Sequence, residues 1–325
     1  MHSPIVTANI YCDRRLDAVV HEVVVPWLEM LRGGGEGDWG IWWVRYTRNG
    51  EHLKVRLHGP EAEAERAKEL LEEATGRFFA TLPPVDPTEE RRDRPRAPAI
   101  DAEDESPEIR PDRTLLWTRF RRSPVSLGPL FLEDDEFVGR LMGCLAHGAE
   151  LVMAARPDAR GVVPEGVRQR TLITAVIAGL GGAPFADRAA YLEYHRDWLL
   201  RFTAADAARE ARLRESFDAR LAGMAALVEQ LGRTMDAEWS AAAEGPGAPL
   251  RAGIAGLCAR AEGLGLTLET LGDPYAGHAA YPLLFKSLQG IANQAGVDMT
   301  TEAFVHHLLA AAARGAATPA CGAGA

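Results

Sequence analysis

The spacing of hydrophobic and polar positions changes several times along the chain, and each change predicts an element. Pro4 to Cys12 alternates with β-branched residues and predicts a strand. From Arg14 to Leu31 the apolar positions Leu16, Val19, Val20, Val23, Val24 and Trp27 recur at helical spacing. Asp13 is the expected cap of that helix and Pro26 its expected kink. The Gly-rich stretch 33–38 reads as a connection into Gly40–Gly59, GIWWVRYTRNGEHLKVRLHG, where two β-rich runs flank Asn49-Gly50, a strong hairpin signal. Glu61 to Phe79 is an amphipathic helix, and Thr114 to Phe120 (TLLWTRF) a fourth strand. The order β-α-β-β-α-β predicts a ferredoxin-like α+β unit, a four-stranded antiparallel sheet backed by two helices.

From about Glu133 the pattern becomes helix-rich and alanine-rich, with helices expected near 133–155, 163–181, 185–203, 205–232, 250–264, 280–296 and 301–314. Gly and Pro punctuate loops at 241–249 and 270–279. The expected organisation is a ferredoxin-like part over 1–122, a mainly helical part over 123–314 and a disordered tail over 315–325. Within the first part, 83–112 is Pro-rich and charged with few large apolar groups; it reads as a mobile loop, with a linker as the alternative.

Composition narrows the function classes. The 325 residues are 47% hydrophobic and 25% charged, as in an ordinary globular protein, and the net charge of −10 opposes a nucleic-acid partner. No apolar run approaches the roughly 18 residues of a membrane span, and the N-terminus has no secretory-signal pattern. Cys12, Cys144, Cys258 and Cys321 are scattered without a Cys-x-x-Cys pair, which suits buried thiols in a reducing cytoplasm. HExxH, Walker A and GxGxxG motifs are absent, and Gly33-Gly34-Gly35 lacks the Lys-Ser/Thr of a phosphate loop.

Chemistry concentrates first on the hairpin. A two-residue turn at Asn49-Gly50 would set Arg45 opposite Lys54, Trp43 opposite Arg56 and Ile41 opposite His58. Trp42, Val44, Tyr46, Leu53, Val55 and Leu57 then form the core face, while Ile41, Trp43, Arg45, Thr47, His52, Lys54, Arg56 and His58 form the other. That second face is either a solvated surface or the floor of a cleft for an anionic or carbonyl-rich ligand, with Trp43 as a stacking wall.

A second constellation, Tyr191, Tyr194, His195 and Trp198, occupies one helix face. It is either an aromatic core stripe or a cleft lining in which Tyr194 and His195 supply hydrogen bonds or acid/base groups. A third lies in 280–296, where Ser287, Gly290, Ile291 and Gln294 share one side, with Lys286, Gln289 and Asn293 beside it. Such a stripe is a solvent face or a set of groups awaiting partners. His147, His306 and His307 lack metal-ligand spacing with any Cys or carboxylate and are assigned no site, and no metal site is expected.

Two of these segments resemble a known family. WWVRYTRNGEHLKVRLHG is similar to the F-I-R-Y-x-D-P-x-P-H-L-R-L-R segment in the small C-terminal domain of lantibiotic dehydratases, which also occurs alone in thiopeptide biosynthesis. SLQGIANQAGV resembles that family's S-L-x-H-M-x-x-N-R-x-G. One branch eliminates glutamate from glutamylated Ser or Thr; the other, the pyridine synthases, joins two dehydroalanines in a formal aza-[4+2] cycloaddition. The histidine of the elimination pattern falls at or next to Gly290, and no histidine occurs from Ala279 to Val305. The family's E-x-x-R-Y-G-G segment is also missing. The resemblance therefore implies a pyridine-forming enzyme acting on a leader-bearing, azole-containing peptide, without cofactor, in the cytoplasm, with a homodimer as the candidate assembly. It implies Ser287, Tyr281, Gln289 and Asn293 as donors and acceptors around the azadiene amide, with Tyr194 or His195 aiding proton transfer. Trp43, Arg45, His52, Lys54, Arg56, Gly290 and Gln294 would bind substrate. The alternatives are a glutamate-eliminating lyase using His195 or His278, and a silent peptide-binding subunit.

Overall fold

The computed structural model describes residues 5–34, 37–46, 50–83, 111–118, 134–159, 161–204, 206–240, 244–265 and 280–316, the last without the side chains of 280–282 and 316. The chain divides into two compact units, Met1–Pro164 and Glu165–Ala325.

In the first unit the strands β1 (Val6–Tyr11), β2 (Gly40–Tyr46), β3 (His52–His58) and β4 (Thr114–Trp117) form one antiparallel sheet in the order β2-β3-β1-β4. This is the expected ferredoxin-like topology. The first crossover is α1 (Leu16–Ala18), a π-helical stretch at Val19–Val24, and α2 (Val25–Gly34). The stretch precedes Pro26, whose missing N–H interrupts ordinary helical pairing. There the Val25 N–H bonds to the Val20 carbonyl, five residues back. Asp13 does not cap this helix: Arg15 stands at the cap without a side-chain bond, and the Asp13 N–H donates to Asp112. The second crossover helix, α3 (Ala64–Thr81), buries Ala67, Leu71, Ala74 and Phe78. The Trp27 indole N–H donates to the Ala67 carbonyl at 2.9 Å, so the ring is buried without an orphaned donor. A further helix, α4 (Asp135–Met153), packs on β2, so it sits in the sheet unit although the compositional change comes before it.

The hairpin register differs from the expected one. Tyr46 pairs with His52, Val44 with Lys54, Trp43 with Val55 and Ile41 with Leu57, so five residues rather than two connect the strands. A slip of one residue moves every side chain of β2 to the other face relative to β3. Ile41, Trp43 and Arg45 therefore lie with Leu53, Val55 and Leu57 on the helix-backed side. Two bonds fix that side. Arg45 meets Asp17 of α1 at 2.8 Å, and Trp117, which pairs with Ala8 of the same face, donates to Glu72 of α3. The strand itself is ambiguous: Ile41/Trp43 and Trp42/Val44/Tyr46 are both apolar enough to face a core.

The second unit is helical: α5 (Glu165–Gly182), α6 (Arg188–Thr203), α7 (Ala207–Ala222), α8 (Ala225–Ser240), α9 (Ala248–Gly263), α10 (Ala280–Ala295) and α11 (Met299–Ala316). The single helix expected over 205–232 is two, α7 and α8, parted at Gly223 and Met224. Aspartates cap several N-termini: Asp187 accepts from the Ala190 N–H, Asp206 from Arg209, and Asp298 from Thr300 and Thr301. α11 packs most extensively on α6, and Arg314 grips Glu193 across that pair with bonds of 2.6 and 2.8 Å. Most of the 83–112 stretch, residues 270–279, the tail from 317 and Cys321 lie outside the described residues. No helix among those described is long and apolar enough to cross a membrane.

Candidate functional site

Candidate chemistry falls in three places, one in the sheet unit and two in the helical unit. On the sheet, the register puts His52, Lys54, Arg56 and His58 of β3 on the face away from the helices. They share it with Trp42, Val44 and Tyr46 of β2, and with Thr7, Asn9 and Tyr11 of β1. Trp43 is therefore core, fully buried on the opposite side, and Arg45 is held there by Asp17. Neither lies on the cationic face, and the wall expected of Trp43 belongs to Trp42. Lys54 is 1% and Arg56 5% exposed, deep burial for two cations.

Aromatic rings support the stripe. The Arg56 guanidinium lies 4.3 Å from the Trp42 ring centroid, and the Lys54 ammonium 5.8 Å from that of Tyr46. His52 is stacked between Tyr11 and Tyr46, at 4.4 and 5.3 Å. Its Nδ1 lies 2.9 Å from the Gly50 carbonyl, which can only accept, so that nitrogen carries the proton. The Trp42 indole N–H donates to His58 Nε2 at 3.2 Å, which makes His58 an acceptor there and hence neutral. The face thus carries a row of one ammonium and one guanidinium flanked by two imidazoles. Thr7 and Asn9 were not singled out from sequence, although the alternation Thr7, Asn9, Tyr11 in VTANIY signals a polar phase.

The second place is α10. Ser287 and Gln294 are fully buried, and the Ser287 hydroxyl donates to the Leu283 carbonyl at 3.1 Å. Lys286, Gln289, Gly290 and Asn293 are half-exposed and fall at i, i+3, i+4 and i+7, a continuous face. The polar stripe expected from sequence is thus two rows: an inward one of Ser287 and Gln294, and an outward one of Lys286, Gln289, Gly290 and Asn293. Tyr281 belongs to α10, but its side chain lies outside the described residues, as does His278.

The third place is a buried polar network between α6 and α11. His195 is fully buried, with Nδ1 2.9 Å from the Tyr191 hydroxyl and Nε2 3.1 Å from Glu302 Oε1. The His306 ring lies 3.8 Å from that of His195, and its Nδ1 is 2.9 Å from the Glu302 carbonyl. Phe285 of α10 covers His195 at 4.3 Å. Burial holds His195 well below the ordinary imidazole range. It also pushes the Glu302 carboxyl up to about 7 and, with His195 beside it, His306 down to about 3. The two imidazoles therefore stay neutral, and the Glu302 carboxyl keeps its proton to a much higher pH than an exposed one. Tyr194 is half-exposed on the same helix as His195, whereas His195 itself has no open surface. Neither Glu302 nor His306 was assigned a site from sequence; the i, i+4 pair Glu302 and His306 on α11 is the signal for it.

Comparison with known proteins follows this geometry. Residues 6–95 match the lantibiotic biosynthesis dehydratase C-terminal family, a span that holds β1 to α3 and ends before β4. The solved structure of the pyridine synthase TbtD, from thiomuracin biosynthesis, superposes with a TM-score of 0.65 at 17% identity, covering 95% of this chain and 97% of that one. The crystal structure of TsrL superposes with a TM-score of 0.54 at 14% identity, covering 96% of this chain and 94% of that one. At these identities the shared property is the fold, and it spans both units. No curated protein matches the chain in sequence.

Proposed function

We propose that the protein is a pyridine synthase of thiopeptide biosynthesis. In this reading it joins two dehydroalanines of an azole-bearing, leader-bearing peptide by formal aza-[4+2] cycloaddition. The observation that carries the reading is α10. Where the eliminating dehydratases have a histidine, this helix presents Gln289, Gly290 and Asn293 in a half-exposed polar row, with Lys286 one turn before them and no imidazole among them. Base-driven elimination needs a proton acceptor; a cycloaddition needs its two partners held together and one amide kept as its iminol. The full-length likeness in fold to TbtD supports the same choice at the level of fold.

In the reaction one dehydroalanine contributes its alkene. The other contributes a 2-azadiene, formed when its amide proton moves from nitrogen to oxygen. Gln289 and Asn293 each offer a donor and an acceptor, so they can hold both ends of that tautomer. Gly290, lacking a side chain, leaves space for the peptide backbone beside them. Holding the two alkenes in contact is worth about 7–11 kcal/mol of the barrier. Tyr194, half-exposed on α6, moves protons in this reading as water and then the leader amide depart, leaving the aromatic ring. His195 and Ser287 act from within, positioning α6 and α10. Lys54 and Arg56 hold peptide carbonyls or the leader. No metal, flavin or nucleotide enters these steps.

The test is mass spectrometry of the protein with a peptide that already holds two dehydroalanines and the azoles, without added cofactor. A macrocyclic product lighter by the leader amide and water is expected. No change there, with glutamate released instead from a glutamylated serine precursor, would establish the elimination lyase. Inertness on both would leave a peptide-binding subunit.

A further inference from the structure

The network between α6 and α11 has the donor set of a transition-metal site. His195, Glu302 and His306 each offer one ligand atom, and these atoms lie within 4.8 Å of one another. The tautomer of His306 can be read from its hydrogen bond. A carbonyl only accepts, so His306 Nδ1, 2.9 Å from the Glu302 carbonyl, carries its proton, and Nε2 bears the lone pair. That Nε2 is fully buried and has no hydrogen-bond partner among the described residues. A buried imidazole lone pair left this way is destabilising. Its arrangement, with the remote ring N–H held by a backbone carbonyl, is how metal-binding histidines are oriented.

His195 presents the same donor atom in one of its two tautomers. With Nδ1–H donated to the Tyr191 oxygen, Nε2 turns a lone pair toward Glu302 Oε1 at 3.1 Å. In that tautomer the two acceptors need a proton or a cation between them. Bonds of about 2.0–2.2 Å in tetrahedral geometry separate neighbouring ligand atoms by about 3.3 Å, so the His195–Glu302 edge already has the required length. His306 Nε2 would close the third corner by a small side-chain rotation. A set of two imidazoles and one carboxylate favours zinc or ferrous iron over magnesium or calcium, which take oxygen ligands.

We propose that His195, Glu302 and His306 bind a first-row divalent transition ion, zinc foremost, which ties α6 to α11 inside the helical unit. The ion takes the place of the proton on Glu302. Tyr191 orients the His195 ligand from behind, and the aromatic cover of Phe285 keeps bulk water from the site. Glu302 and His306 are an i, i+4 pair on α11, but His195 comes from a helix more than a hundred residues earlier, so sequence spacing announces two of the ligands and not the third. The proposal does not rest on the cycloaddition reading, because its ligands are buried inside the helical unit.

The experiment is zinc titration of metal-stripped, untagged full-length protein against a chromophoric chelator, with cobalt(II) as a spectroscopic probe. Stoichiometric zinc binding is expected, together with visible cobalt bands of low-coordinate nitrogen and oxygen ligation and a raised thermal midpoint. H306Q and E302Q should lose that binding, H147Q should keep it, and Y191F should weaken it about tenfold. Because the ligand variants can fail to fold, X-ray absorption of the zinc-loaded wild type provides a separate measurement: a shell of nitrogen and oxygen with imidazole scattering is expected. Absence of stoichiometric binding by the wild type, sulfur in the shell, or binding unchanged in folded H306Q and E302Q would each overturn the proposal.

Discussion

At the scale of single residues, burial and pairing decide which groups titrate. Asp197 is a case where pairing wins. Burial pushes its carboxyl up, but hydrogen bonds from Arg196 at 2.7 Å and Arg214 at 2.8 Å outweigh burial and hold it below the ordinary 3.8. A carboxyl depressed in the folded state adds stability above its unfolded pKa, and this is lost as pH falls through the folded value. D197N should therefore destabilise the protein at neutral pH by about 1 kcal/mol, the gap closing as the medium is acidified below pH 3.8. Urea unfolding at a series of pH values measures this, and a gap that stays constant in acid would contradict the pairing. Burial alone acts on Cys258, and on Cys12 it acts with Asp112; both thiols are pushed up to about 12. At neutral pH both are uncharged and poor nucleophiles. Native protein treated with a disulfide reagent should modify these two only as it opens, and urea should release them; prompt reaction in the native state would mean that one of these environments is wrong.

At the scale of elements, β2 shows where sequence reasoning holds and where it stops. Strand order, crossover helices and most helix spans were legible, because each depends on local periodicity and on caps such as Asp187 and Asp206. Register is not local. β2 has large apolar groups in both phases, so its pattern does not choose a face; the length of the turn and the Asp17 carboxylate on α1 do. The consequence is measurable as a double-mutant cycle between Arg45 and Asp17, whose side chains are 14% and 7% exposed. Removing either partner alone strands a buried charge and should cost about 3–5 kcal/mol, whereas D17A/R45A should recover a large part of that. Zero coupling is what a two-residue turn would give, because Arg45 would then point away from α1. The candidate sites follow the same rule. The cationic residues of β3 and the polar row of α10 were visible as single-element patterns. The network of Tyr191, His195, Glu302 and His306 was not, because it exists only where α6 meets α11.

At the scale of the whole molecule, the proposed roles divide between two units that are each compact on their own. The chain carries a net charge of −10, so the Lys54–Arg56 stripe is a local cationic feature in an acidic protein. Its attraction for a peptide is short-ranged and works against the general field. Under the proposed function, a long precursor peptide engages the sheet unit through its leader and the helical unit through its dehydroalanines, and the two engagements are separable kinetically. Interactions equally strong in ground and transition state alter KM; those made only at the reacting atoms alter kcat. K54M, which keeps the length of the stem and removes the charge, should therefore raise KM with little change in kcat, and added salt should mimic it. N293A and Q289A should lower kcat with KM nearly constant. Removing one well-placed hydrogen-bond group costs up to about a hundredfold in such sites. S287A is expected to fall between them, since its hydroxyl is bound to the Leu283 carbonyl and reaches the chemistry only through α10. All four variants must first match the wild type in thermal midpoint, because Lys54 and Ser287 are buried. A K54M variant that loses kcat while retaining KM would place the sheet face at the reacting centre and reverse the assignment of roles between the units.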